Sequence, residues 1–138
     1  MFTQASIGME EAQRAADAVL AALTPDDNPA ALAIARADGA LILCLRQDGA
    51  PSRMLRRARA KAYTATRVGM NTVDFRDGVV KATNRTLDDW GDEGLTTLQG
   101  GMTVRSGGRV VGAIAMSGNT TQRDEQLAGI GLAAMGVK

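Results

Sequence analysis

Lys61 and Thr64 lie one helical turn apart in Lys61-Ala62-Tyr63-Thr64, with Ser52 at the start of the same predicted helix and Asp48 in the turn before it. A lysine beside hydroxyls at a strand-to-helix junction can hold a carboxylate or a carbonyl, or act as a desolvated amine nucleophile. Asp48 or Lys61 can equally serve as a base. The structural alternative is an ion pair for Lys61 and a helix cap for Ser52. Residue types alone leave both readings open.

Two glycine-containing pairs, Gly100-Gly101 and Ser117-Gly118, mark places where backbone comes close to something. If both line one pocket, their N–H groups can receive an oxyanion, helped by the N-terminus of a helix that begins near Thr121. Tight turns that require positive φ are the competing account. The helix carrying Lys61 also bears Arg53, Arg56, Arg57, Arg59 and Arg67 and no acid. That basic face suits an anionic ligand such as a phosphate or haem propionate, or else faces water or meets the acidic run at residues 88–93. Gly129-Ile130-Gly131 resembles a degenerate dinucleotide fingerprint, but it lies inside a helix instead of opening one after a strand, so close helix packing explains it better. Cys44, among Leu41, Leu43 and Leu45, reads as a buried small hydrophobe.

The chain contains no histidine and one cysteine. This removes Ser-His and Cys-His nucleophile systems, histidine- or cysteine-based zinc sites and histidine-ligated haem. Haem iron would have to find Tyr63 or one of the seven methionines, and methionine serves more readily as core filler.

The elements that position these groups follow from periodicity. Ala12, Ala15, Ala16, Val19, Leu20 and Leu23 share one helical face, and Pro25 and Pro29 stop that helix. Residues 31–36 and 41–46 flank Asp38-Gly39 as a β-hairpin. Ser52 caps a helix over residues 53–68 that ends at Gly69. Residues 70–94 set no period and read as loop with a possible short helix. Strands are predicted at 95–99, 102–105 and 110–117, the last two joined through Ser106-Gly107-Gly108-Arg109. A final helix starts near Thr121, where Thr121 and Asp124 approximate a capping box. Five strands with helices between them predict an α+β layer fold on an antiparallel sheet.

At 138 residues the chain fits one domain, residues 1–138, large enough to bury about two-thirds of its unfolded surface. Sixteen basic against 15 acidic residues argue against nucleic-acid or membrane binding, which need a net field. Without a signal-like N-terminus or a long apolar run, the expected location is cytoplasmic.

The chain resembles the GlcG/HbpS-like family, to which the C-terminal domain of PduO-type proteins also belongs. The resemblance rests on the Ala-rich first helix, Ala37-Asp38-Gly39, Arg46-Gln47-Asp48-Gly49-Ala50 with Ser52, Lys61-Ala62-Tyr63-Thr64-Ala65, Gly100-Gly101, Val111-Gly112-Ala113-Ile114, Ser117-Gly118 and Asp124. It implies a profilin-like, five-stranded antiparallel sheet flanked by helices, assembled into homo-oligomers. Some members bind haem through a histidine, many carry a haem-degrading label, and others sit in small-metabolite operons.

Three functional expectations follow. The first is binding of a small anionic metabolite near Asp48, Ser52, Lys61, Thr64, Gly100, Gly101 and Ser117. The second is an enzyme in the same pocket, doing proton transfer or elimination on a small oxygenated carboxylate with Lys61 or Asp48 as base. The third is haem binding through a ligand other than histidine.

Overall fold

The computed structural model describes residues 1–138. Helix α1, Met9–Ala22, begins where the Glu11 carboxylate accepts the Gly8 N–H at 3.1 Å, and buries Ala12, Ala15, Ala16 and Val19. Strands β1, Ala31–Arg36, and β2, Leu41–Arg46, form the predicted hairpin, with Gly39 at φ +89° in its turn. Helix α2, Ser52–Val68, ends in a left-handed Gly69 as its sequence required. Its N-cap residue is Pro51, however, and Ser52 makes no capping bond.

Residues 70–94 are far more regular than their sequence suggested. Three helical pieces follow one another without a break: α3 over Thr72–Asp74, a π-helical turn over Phe75–Val80, and α4 over Lys81–Thr83, closed by Asn84 at φ 53°. A 3₁₀ turn, Leu87–Trp90, comes next, and Trp90 meets the buried Phe75 edge to face at 5.1 Å. The apolar residues are sparse because one buried aromatic anchors the whole stretch, and a π turn shifts the period that a 3.6-residue template looks for.

Strands β3, Gly101–Ser106, and β4, Arg109–Ser117, close through Gly107 and Gly108, both at positive φ as a tight two-residue hairpin demands. The antiparallel sheet has four strands in the order β2-β1-β4-β3, not five. The expected strand at 95–99 fails because side chains take its backbone donors: Thr96 N–H goes to Thr64 Oγ1 at 2.9 Å and Leu98 N–H to Thr96 Oγ1 at 3.2 Å.

Helix α5, Thr121–Ala134, is capped by Thr120, whose Oγ1 accepts the Arg123 N–H at 3.2 Å. It packs beside α1 on one face of the sheet, over Leu32, Ile34, Ile114 and Met116. A Cβ on Gly131 would stand 2.5 Å from Ile114 Cδ1 and 2.9 Å from Val19 Cγ2, so this glycine sets the approach of α5 to strand and helix. The other face is covered by α2. There Ala58, Ala62 and Ala65 meet Ala31, Ala33, Ala35, Ala113 and Ala115, with Met54 at one end. Methyl against methyl brings α2 close to β1 and β4. Edge strand β2 lies largely outside that cover, which leaves Cys44 exposed instead of buried. No helix is long and apolar enough to cross a membrane.

Candidate functional site

Lys61 belongs to the face of α2 that looks onto the sheet, in line with Ala58, Ala62 and Ala65. An alanine layer has no room for a four-carbon amine, so the side chain runs to the end of β4. There Nζ donates to the Met116 carbonyl at 2.8 Å and to Asp124 Oδ2 at 3.3 Å. Both side chains are only 2% exposed. The carboxylate is fixed in turn: Asp124 sits in the first turn of α5, and its Oδ1 accepts the Asn119 N–H at 3.1 Å. Burial pushes the Lys61 ammonium below its ordinary value, and the charge of Asp124 opposes that shift. Burial likewise pushes Asp124 above the usual carboxylate range, against the pull of Lys61. Desolvation therefore drives both groups toward a neutral amine and acid, and their mutual attraction opposes it.

Above this pair lies a cleft of about 460 Å³. One wall is α2, which contributes Arg53, Arg57 and Lys61 at i, i+4 and i+8. The opposite wall is the turn from Ser117 to Thr121 and the start of α5, with Asn28 and Pro29 along one side and Leu98 at the rim. Arg53 and Arg57 are exposed and join none of the ion pairs of the chain. The acidic run at 88–93 does not reach them. Its Asp92 instead accepts the Tyr63 hydroxyl at 2.7 Å. The wall at Asn28 is braced, since Asn28 N–H donates to Asn119 Oδ1 at 2.8 Å and Asn119 Nδ2 returns a bond to the Asn28 carbonyl at 3.3 Å. Next to it, Arg123 grips Asp27 through two bonds of 2.9 Å.

Of the sequence-predicted residues, the structure brings Lys61 and Ser117 into this cleft. Ser117 is 2% exposed, and its hydroxyl has only a 3.5 Å contact with Met54 Sδ. Asp48 lies apart, in a shallow hollow with Thr24, Asp27, Arg46 and Gln47; Asn28 and Pro29 form the wall common to both depressions. Thr64 points elsewhere, donating to the Ala60 carbonyl at 2.7 Å and holding Thr96. Ser52 is exposed and lines neither hollow.

Gly100 and Gly101 sit behind the lysine instead of facing a ligand. A Cβ on Gly100 would be 2.9 Å from Lys61 Nζ, and one on Gly101 would be 2.6 Å from the Lys61 carbonyl oxygen. The Gly101 N–H is already taken by Thr72 Oγ1 at 3.0 Å. These glycines admit the lysine, and the Gly101 donor is not offered to an anion.

Sequence reasoning missed Asp124 as the partner of Lys61, having read it only as a cap. It also left Arg53 and Arg57 in a general basic face. The four-residue spacing of Arg53, Arg57 and Lys61 was the available signal, because it aligns three cations along one stripe of a helix.

A family model described as haem degrading protein HbpS-like matches residues 7–133. Among solved structures, a double mutant of Streptomyces reticuli HbpS is 29% identical and superposes with a TM-score of 0.86, covering 99% of this chain and 91% of that one. Klebsiella pneumoniae protein ORFY is 22% identical at a TM-score of 0.86, covering 98% and 94%. PduOC, in a complex with haem, is 21% identical at 0.85, covering 96% and 97%. These last two likenesses speak to the fold alone. No curated protein sequence matches the chain.

Proposed function

The chain belongs to the HbpS-like family, and from that premise we propose that it is a cytoplasmic, self-associating accessory protein that binds a small anionic metabolite in the cleft above Lys61. The observation that carries this reading is the charge of the cleft. Three cations, Arg53, Arg57 and Lys61, face one carboxylate, Asp124, and the two arginines have no protein partner. A concave, partly desolvated site with surplus positive charge selects small anions, and forked guanidinium donors suit carboxylate and phosphate oxygens.

Haem does not fit the residues of this cleft. Its lining offers no histidine, cysteine or tyrosine, and its apolar side chains are limited to Met54, Leu98 and two prolines. Met54 is packed at the end of the alanine layer, and Tyr63 is engaged with Asp92 along another hollow. A macrocycle needs a free axial ligand and broad apolar walls, whereas the Met54 sulfur is in contact with the Ser117 hydroxyl and most of the lining is polar.

A second reading, proton transfer on a small oxygenated carboxylate, draws support from the lowered Lys61 and raised Asp124, since a base and an acid of shifted strength face the same cleft. Asp48 has no part in it, lying in the other hollow.

The test is a titration of isotope-labelled protein with acetate, pyruvate, oxalate and inorganic phosphate, following backbone amides. Saturable shifts at Ser117, Gly118, Asn119 and Thr121 are expected with at least one of these anions. Absence of any shift there with all four overturns the reading.

A further inference from the structure

Building on the anion-binding reading of the cleft, we propose that Lys61 condenses with the carbonyl of a small 2-oxo carboxylate to form an imine.

Four features of the geometry converge on this. The Lys61 ammonium has three donors and only two protein acceptors, Met116 O and Asp124 Oδ2, so its third N–H remains for whatever enters the cleft. The acceptor at 3.3 Å is a carboxylate whose other oxygen is tied to Asn119, which keeps Oδ2 turned toward the amine. One turn earlier on the same face stands the unpaired Arg57, and side chains four apart on a helix are about 5–6 Å apart at Cβ. A ligand with its carboxylate next to its carbonyl can meet both side chains, the guanidinium taking the carboxylate and the amine the carbonyl. Finally, the buried Ser117 hydroxyl has only a thioether contact and can hold the carbonyl oxygen as it becomes a hydroxyl.

The chemistry closes on these groups without a further reactant. Asp124 takes one proton from the Lys61 ammonium, leaving a neutral amine whose lone pair attacks the carbonyl carbon. A C–N bond forms, and a second nitrogen proton passes to the carbonyl oxygen, giving a carbinolamine. Asp124 then returns its proton to that hydroxyl, the C–O bond breaks and water leaves. The product is a protonated imine on Lys61 paired with an ionised Asp124, so atoms and charge balance and nothing is oxidised or reduced. Burial already biases the pair toward the neutral amine and acid that the attack requires.

The chain has three lysines, and the exposed Lys81 and Lys138 serve as internal controls for unselective alkylation. The experiment is borohydride reduction in the presence of pyruvate, read by intact mass and by peptide mapping, beside the amide titration with pyruvate. A single reduced pyruvyl adduct on Lys61, lowered about tenfold in Arg57→Ala, is the expected result. Amide shifts without a Lys61 adduct overturn the imine and leave the anion site standing. An adduct spread equally over the three lysines also overturns it. Neither shifts nor adduct with pyruvate overturns the imine, and the anion reading falls with it only where acetate, oxalate and phosphate also leave the amides unshifted.

Discussion

Asp124 Oδ2 stands 3.3 Å from Lys61 Nζ, the carboxylate carried by α5 and the amine by α2, so the pair joins the helices on the two faces of the sheet. Breaking such a buried pair from one side leaves an uncompensated charge. Lys61→Met and Asp124→Leu are each expected to cost about 3–5 kcal/mol in urea unfolding, and the double variant much less than their sum. Additive losses would show that the two charges do not depend on each other.

Because Lys61→Met confounds binding with folding, the cleft is better tested at its exposed rim. Arg57→Ala and Arg53→Ala should leave the urea midpoint within about 0.5 kcal/mol of the parent. Each should weaken binding of the best small anion by about tenfold, as loss of one charge-assisted bond implies. Isothermal titration measures this, and unchanged affinity in both variants counts against an anion seated on α2.

Glycines of this chain separate into those that something touches and those that nothing does. A Cβ on Gly101 would lie 2.6 Å from the Lys61 carbonyl and 2.9 Å from Thr72 Cγ2, whereas one on Gly78, in the π turn, meets nothing within 4 Å. Gly101→Ala should destabilise by about 2 kcal/mol or more, while Gly78→Ala should be neutral or stabilise by about 0.5–1 kcal/mol through the unfolded chain. Paired denaturation curves decide it, and a tolerant Gly101 would mean that the strand can move off α2.

The paired bonds from Arg123 hold the Asp27 carboxyl well below its ordinary value of 3.8. A depressed acid contributes stability that is complete above its unfolded pKa and is lost as pH falls below it toward the native value. The difference in melting temperature between the parent and Asp27→Asn should therefore be constant near neutrality and shrink as pH drops below about 4. A gap that persists undiminished at pH 2 would assign the loss to packing instead of charge.

How much of this was legible depended on whether a signal was local. The two hairpins could be read because Asp38-Gly39 and Gly107-Gly108 name their turns, and α1 because its alanines keep the helical period. Residues 95–99 misled because Thr64, 32 residues earlier on another element, claims the Thr96 N–H. The π turn hid behind Phe75, and Cys44 looked buried because its neighbours are leucines, although strand order decides what covers it. The candidate site was half visible. Lys61 stood out by type, but its partner Asp124 lies 63 residues on and only the folded chain brings them together.

The alanine layer under α2 has a mechanical consequence. Methyl groups have no rotamers to exchange, so this interface stores no soft degrees of freedom and loses no side-chain entropy when it forms. A helix seated on such a surface has little slack to tilt or slide. The guanidinium groups of Arg53 and Arg57 move on flexible stems, but the rail that carries them and Lys61 is stiff, so fitting a guest falls to those two side chains and not to a shift of the helix.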